Sequence, residues 1–173
     1  MLELAKQNPE LVDKMLLLAA NPCFVVRDDW QNAVEESVFD LFAENLQNNI
    51  EKTLQRFLSL QVQGMAESRD VLRTLRAAII KQGLPSAKAL EAGLQILKES
   101  DLRPRLSLLS QPQHWILGER DSLVPVGLNE FLSIQDDVKS HIIRGSAHLP
   151  FVSHTEEVMQ QLLDLIPIET TNE

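Results

Sequence analysis

Two residues in this chain have the types and the placement to handle a proton together. Asp121 lies in Leu117-Gly118-Glu119-Arg120-Asp121-Ser122-Leu123-Val124-Pro125, and His148 lies in Gly145-Ser146-Ala147-His148-Leu149-Pro150-Phe151. Each segment reads as an apolar strand running out into a loop, with the acid in the first loop and the imidazole in the second. An aspartate placed this way accepts the Nδ1–H of the imidazole and fixes its tautomer. It also steadies the imidazolium formed when Nε2 takes a proton from a nucleophile. Taken singly, Asp121 is equally well a turn cap and His148 an ordinary loop histidine. Their position after consecutive strands is what marks them as a pair, in the chain order acid then base of a nucleophile–acid–base triad. The G-x-S-x-G motif that would supply the nucleophile occurs nowhere in the 173 residues.

Three side chains compete for the role of nucleophile, and none is assigned it. Cys23 follows the first apolar run, but a thiol is activated by a nearby base or a helix N-terminus, and a small buried wall residue is the expected role. Ser122 and Ser146 flank the acid and the base without sitting on a strand-to-helix elbow. His114 at the start of a strand, His141 inside one and His154 at the start of a helix read as structural. No metal or cofactor is expected.

The elements that must position Asp121 and His148 follow from periodicity. Leu2 to Asn8 reads as the end of a helix stopped by Pro9. Val12 to Ala20 is an apolar run without amphipathic period, the pattern of a strand buried on both faces of a parallel sheet. From about Asp28 to Glu99 the pattern is helical. One stripe runs Val34, Val38, Leu41, Phe42 and Leu46, and a second Leu54, Phe57, Leu58 and Gln61. A third runs Leu72, Leu75 and Ile79, and a fourth Leu90, Leu94 and Leu97, with Ser86 as its cap. Strand–helix alternation then resumes: Gln113–Leu117 strand, Val124–Ser133 helix, Lys139–Ile143 strand, and a helix from His154 to Ile166 that Pro167 closes. The expected architecture is α/β, with three parallel strands, flanking helices and a four-helix lid insertion. Residues 1–27 and 100–167 form the partial core, 28–99 the lid, and 168–173 a polar tail.

Composition narrows the function. The chain is 44% hydrophobic with a net charge of −9, which argues against general binding to nucleic acid or anionic membrane. No apolar run approaches the roughly 20 residues of a membrane span, and the polar start lacks a secretory h-region. With one cysteine there is no internal disulfide, and the expected compartment is the cytoplasm. Against this acidic background, Lys52, Arg56, Arg69, Arg73, Arg76 and Lys81 oppose only Glu67 and Asp70, a local net charge of +4. Lys52 and Arg56, like Arg69 and Arg73, are four apart and so share a helix face. A basic patch on an acidic protein is either a solvated face or a docking surface that steers an acidic partner.

The words NPCF, QRFLSLQ, LEAGLQILKESDLR, GERDSLVP and SAHLPFVSH, in that order, resemble one family. It is the pimeloyl-[acyl-carrier protein] methyl ester esterases of biotin synthesis, serine carboxylesterases with the α/β-hydrolase fold and a four-helix lid. The resemblance runs from about Leu2 to Ile166 and implies the family's C-terminal two thirds. It implies Asp121 as triad acid, His148 as triad base and Phe57 as a lid aromatic lining the acyl channel. It also implies Lys52, Arg56, Arg69 and Arg73 as lid cations that meet acyl carrier protein. By the same resemblance the chain begins roughly six residues past the nucleophile serine, and both oxyanion donors fall in the preceding part. Three readings follow: an ester hydrolase active only with a nucleophile-bearing half, a non-catalytic module that binds acyl carrier protein, or a truncated product. The apolar first strand then has an open edge, to be covered by a separate N-terminal half or by self-association.

Overall fold

The structure is a computed structural model and describes residues 2–165. The expected tail at 168–173, together with Ile166 and Pro167, lies outside them. Helix α1 (Leu2–Gln7) ends before Pro9, and a single 3-10 turn, Pro9–Leu11, leads into strand β1 (Met15–Leu18). Strands β2 (Gln113–Gly118) and β3 (Val138–Ile143) complete one parallel sheet in the order β1-β2-β3. Leu17 stands opposite Trp115, which stands opposite Ser140. β1 is shorter than the apolar run because Val12 to Lys14, which follow the 3-10 turn, lie outside the strand, and Ala19, at φ 44°, turns the chain out of extended geometry.

The two faces of the sheet are covered unequally. Met15, Leu17, Trp115 and Leu117 pack with Leu2, Ala5, Cys23, Trp30, Leu106 and Leu128 into the main core. Leu16, Leu18, Ile116 and Ile143 face the other way, toward Val158 and Leu162 of helix α9 (Thr155–Leu165). Leu16 and Leu18 remain half-buried there, where the sequence pattern predicts burial on both faces. Of the described residues, one helix supplies that layer.

Four helices, α2 (Glu36–Asn48), α3 (Ile50–Gln61), α4 (Ser68–Gln82) and α5 (Ala87–Glu99), lie between β1 and β2 as expected. Asn49 caps α3 by accepting from the Lys52 amide at 2.9 Å, and Ser86 caps α5 by accepting from the Ala89 amide at 3.2 Å. The helical block starts later than the periodicity predicts. Residues 28–35 form a turn in which Val25 pairs with Val34 and Arg27 with Trp30, so Trp30 reaches the core edge-on to Phe131 at 5.0 Å. The phase of α2 also differs. Val38 and Leu41 are 45% and 59% exposed, whereas Phe39 and Leu46 are buried. The segments entering and leaving the block are stitched together. The Leu102 amide donates to Pro22 O at 2.8 Å, and Arg103 pairs with Asp29 and Asp101 while lying over the Trp30 ring.

Beyond the block, a short helix α6 (Arg103–Leu106) precedes β2, and α7 (Leu128–Ser133) links β2 to β3. The predicted helix from Val124 begins only at Leu128. The predicted helix from His154 is α9, which begins at Thr155, and a short helix that the periodicity did not predict, α8 (Pro150–Ser153), precedes it. No helix among the described residues is long and apolar enough to cross a membrane.

Candidate active site

Parallel strands deliver their following loops to one edge of a sheet, so Asp121 after β2 and His148 after β3 emerge side by side. Their contact is direct: His148 Nδ1 lies 2.8 Å from Asp121 Oδ2. The other carboxylate oxygen, Oδ1, accepts the amides of Leu123 at 2.8 Å and Val124 at 2.9 Å. The aspartate side chain is fully shielded from solvent, and that of the histidine is 18% exposed. A carboxylate held by two amides on one oxygen and an imidazole on the other is fixed in orientation, which fixes the ring too. With Nδ1 committed to Asp121, Nε2 is the nitrogen left to exchange a proton.

The two loops meet because residue 118 is glycine. A Cβ there would lie 2.1 Å from the Ala147 carbonyl oxygen, closer than any side chain tolerates. Main-chain bonds join the loops as well, Glu119 N to Ile143 O at 3.1 Å and Arg120 N to Ser146 O at 2.8 Å. One side chain adds to them: Glu119 Oε2 accepts the Gly145 amide at 2.8 Å.

His148 lines a cavity of about 180 Å³ whose other walls include Phe24, Phe39, Phe42, Phe57, Leu94 and Leu123. Phe57 is therefore brought to the same space as the histidine, and its ring meets Phe42 edge-on at 5.5 Å. Phe24, Phe39 and Leu123 were not singled out from sequence as site residues. Only the predicted strand–loop exit beside Asp121 gave any sign of Leu123.

The basic residues separate into groups. Lys52 and Arg56 are exposed on α3, and Arg69 and Arg73 are exposed on α4. Arg69, Arg73 and Arg76 share a groove with Leu72, Ala77 and Ile80, which neither Lys52 nor Arg56 lines. Arg73 also pairs with Asp70 at 3.0 Å, both side chains largely in solvent. On its inner side α4 presents Val71, Leu72 and Leu75 to Val62, Met65, Ala147 and Leu149. The last two residues flank His148.

The remaining candidates lie elsewhere. Cys23 is fully buried in the main core, where its sulfur accepts from Arg27 Nε at 3.3 Å and donates to Val25 O at 3.4 Å. Ser122 is exposed; Ser146 is buried, with its hydroxyl on Ala147 O and Ser153 Oγ, each at 3.2 Å. Burial, then Lys139 and Lys14, push the His114 imidazole below its ordinary value. His141 meets Glu157 at 3.1 Å and His154 meets Ser153 at 2.8 Å. None of the three lines the His148 cavity. Among the described residues no group of three or more His, Cys, Asp and Glu side chains is placed to hold a metal ion.

No protein-family model matches the sequence. Proteins of assigned function do. The pimeloyl-[acyl-carrier protein] methyl ester esterase of Stenotrophomonas maltophilia is 40% identical over 149 residues, 86% of this chain and 58% of that protein. The protein of the same name from Xanthomonas campestris pv. campestris is 38% identical over 162 residues, 93% of this chain and 64% of its own length. The chain thus spans about three fifths of the curated relatives it matches. Among solved structures, an esterase from Exiguobacterium antarcticum superposes with a TM-score of 0.77 at 18% identity, covering 89% of this chain and 57% of that one. That likeness is one of fold.

Proposed function

Because the chain belongs, over the three fifths of their length that it spans, with the pimeloyl-[acyl-carrier protein] methyl ester esterases of the α/β-hydrolase fold, we propose that it is the acid–base and acyl-binding portion of a serine carboxylesterase. Its substrate on this reading is the methyl ester of pimeloyl-acyl carrier protein, in biotin synthesis, and its place of work is the cytoplasm. One observation carries the reading: His148 Nδ1 sits 2.8 Å from a shielded aspartate while the same imidazole lines an apolar cavity.

The chemistry follows from those positions. A serine hydroxyl, supplied with the oxyanion donors by a segment outside the described residues, attacks the methyl ester carbonyl. His148 Nε2 takes the hydroxyl proton and returns it to the leaving methoxide, which departs as methanol. Water then attacks the acyl-enzyme, His148 takes its proton and gives it back to the serine oxygen, and the pimeloyl carboxylate is freed. Asp121 stays ionised throughout and stabilises the imidazolium. Residues 28–99 form the lid of the cavity, Phe57 lines the acyl path, and Lys52, Arg56, Arg69 and Arg73 face the acidic helices of the carrier protein. A non-catalytic module that only holds the carrier protein is the second reading, favoured by the exposed cations of α3 and α4, which need no nucleophile.

The test is turnover of a p-nitrophenyl ester. The chain alone is expected to give none above background. Adding a separately expressed segment with a G-x-S-x-G motif is expected to restore hydrolysis, and His148→Ala to lower the restored rate by about 10³-fold or more. Robust turnover by the chain alone, lost in His148→Ala, overturns the division of labour. Carrier-protein binding with no turnover in any combination supports the second reading.

A further inference from the structure

We propose that Glu119 is a positioning residue for the Asp121–His148 pair, clamping the loop that carries the acid to the loop that carries the base. The proposal rests on the reading of that pair given above. The two loops leave adjacent strands, β2 at Gly118 and β3 at Ile143. Of the bonds between them, those from Glu119 N and Arg120 N are main-chain bonds that almost any residue makes. The bond from the Gly145 amide to Glu119 Oε2, at 2.8 Å, depends on the side chain. Its acceptor is a carboxylate, and such charge-assisted bonds are about twice as strong as neutral ones.

Position gives this bond its effect. Glu119 stands at the root of the acid loop, and Gly145 stands at the root of the base loop, where a φ of +73° turns the chain out of β3. Asp121 and His148 follow a few residues on. Any parting of the roots is carried to the 2.8 Å contact between them, and hydrogen bonds weaken steeply with distance and angle. Glu119 itself is exposed. Removing its carboxylate therefore loosens the loops without opening the core.

The experiment reads the low-field proton resonance of His148 Nδ1–H in the 173-residue chain, which requires no turnover. Asp121→Asn is expected to abolish it, identifying it with the pair. Glu119→Ala is expected to move it upfield and speed its exchange with water about tenfold, with little change in the unfolding midpoint. Glu119→Gln keeps an acceptor oxygen and is expected to recover most of the wild-type behaviour. A resonance unchanged in Glu119→Ala but lost in Asp121→Asn overturns the clamp and leaves the functional reading standing. Equal losses in the alanine and glutamine variants overturn the clamp too. A resonance that survives Asp121→Asn overturns the pair, and the functional reading with it. Should Glu119→Ala unfold the chain, amide exchange at Gly145 in the wild type decides, an unprotected amide there overturning the clamp.

Discussion

A missing side chain matters to this site as much as the two that are present. Gly118 has the Ala147 carbonyl oxygen where its Cβ would stand, at 2.1 Å, with the Ser146 oxygen at 2.9 Å. Both are backbone atoms, which cannot swing aside as the tip of a flexible side chain does. Gly118→Ala is therefore expected to cost about 1–3 kcal/mol in urea unfolding, the usual range for forced overpacking. Gly93, in α5 with nothing within 4 Å of its would-be Cβ, is the control: alanine there is expected to be neutral or to stabilise by up to about 1 kcal/mol. Equal midpoints for the two variants would mean that the base loop gives way freely. The meeting of Asp121 and His148 was legible in the sequence because a strand followed by a loop leaves a local pattern. Gly118 was visible only as a letter. The atoms that demand a glycine belong to a loop far along the chain, which no local pattern reports.

At the level of elements, the four helices of the insertion were legible because each carries an apolar stripe of period near 3.6. The phase of α2 was not. Val38, Phe39, Leu41 and Phe42 allow more than one choice of inward face, and packing against α3 and α5 selects Phe39 and Leu46. Residues 28–35 were misread for a related reason. Trp30 donates its indole N–H to the nearby Cys23 O at 2.8 Å and lies under Arg103 from the far end of the helical block, and together these contacts hold the chain in a turn. Helix α4 has no buried residue and shows solvent Arg69, Arg73 and Arg76. If these cations meet acyl carrier protein as proposed, charge reversal at Arg69 and Arg73 together is expected to weaken that binding and to flatten its salt dependence, since exposed charges are screened above about 0.15 M salt. Titration at two ionic strengths measures both. An affinity unchanged by the reversals would leave these cations as solvated surface.

For the whole molecule, the open flank of the sheet decides behaviour in solution. The amides of Met15 and Ala19 bond toward β2, so those of Leu16 and Leu18 point to the other edge of β1, where no strand pairs among the described residues. The strand, Met-Leu-Leu-Leu, has none of the charges or prolines that blunt an edge. The 173-residue chain is expected to associate at micromolar concentration, through this edge or with a separate N-terminal segment. Sedimentation and hydrogen exchange together check it. A monomer with strongly protected Leu16 and Leu18 amides would show the edge to be covered within the chain. Away from that edge, Leu72 shares the outer groove of α4 with Arg69 and Arg73 and also packs in the cluster that holds Ala147 and Leu149. Surface and the loop of the proposed base thus have one side chain in common. A partner that grips α4 more tightly when His148 is in register must, by thermodynamic reciprocity, be gripped more tightly because it is. Recognition at the surface and readiness of the base are then one free energy measured from two ends.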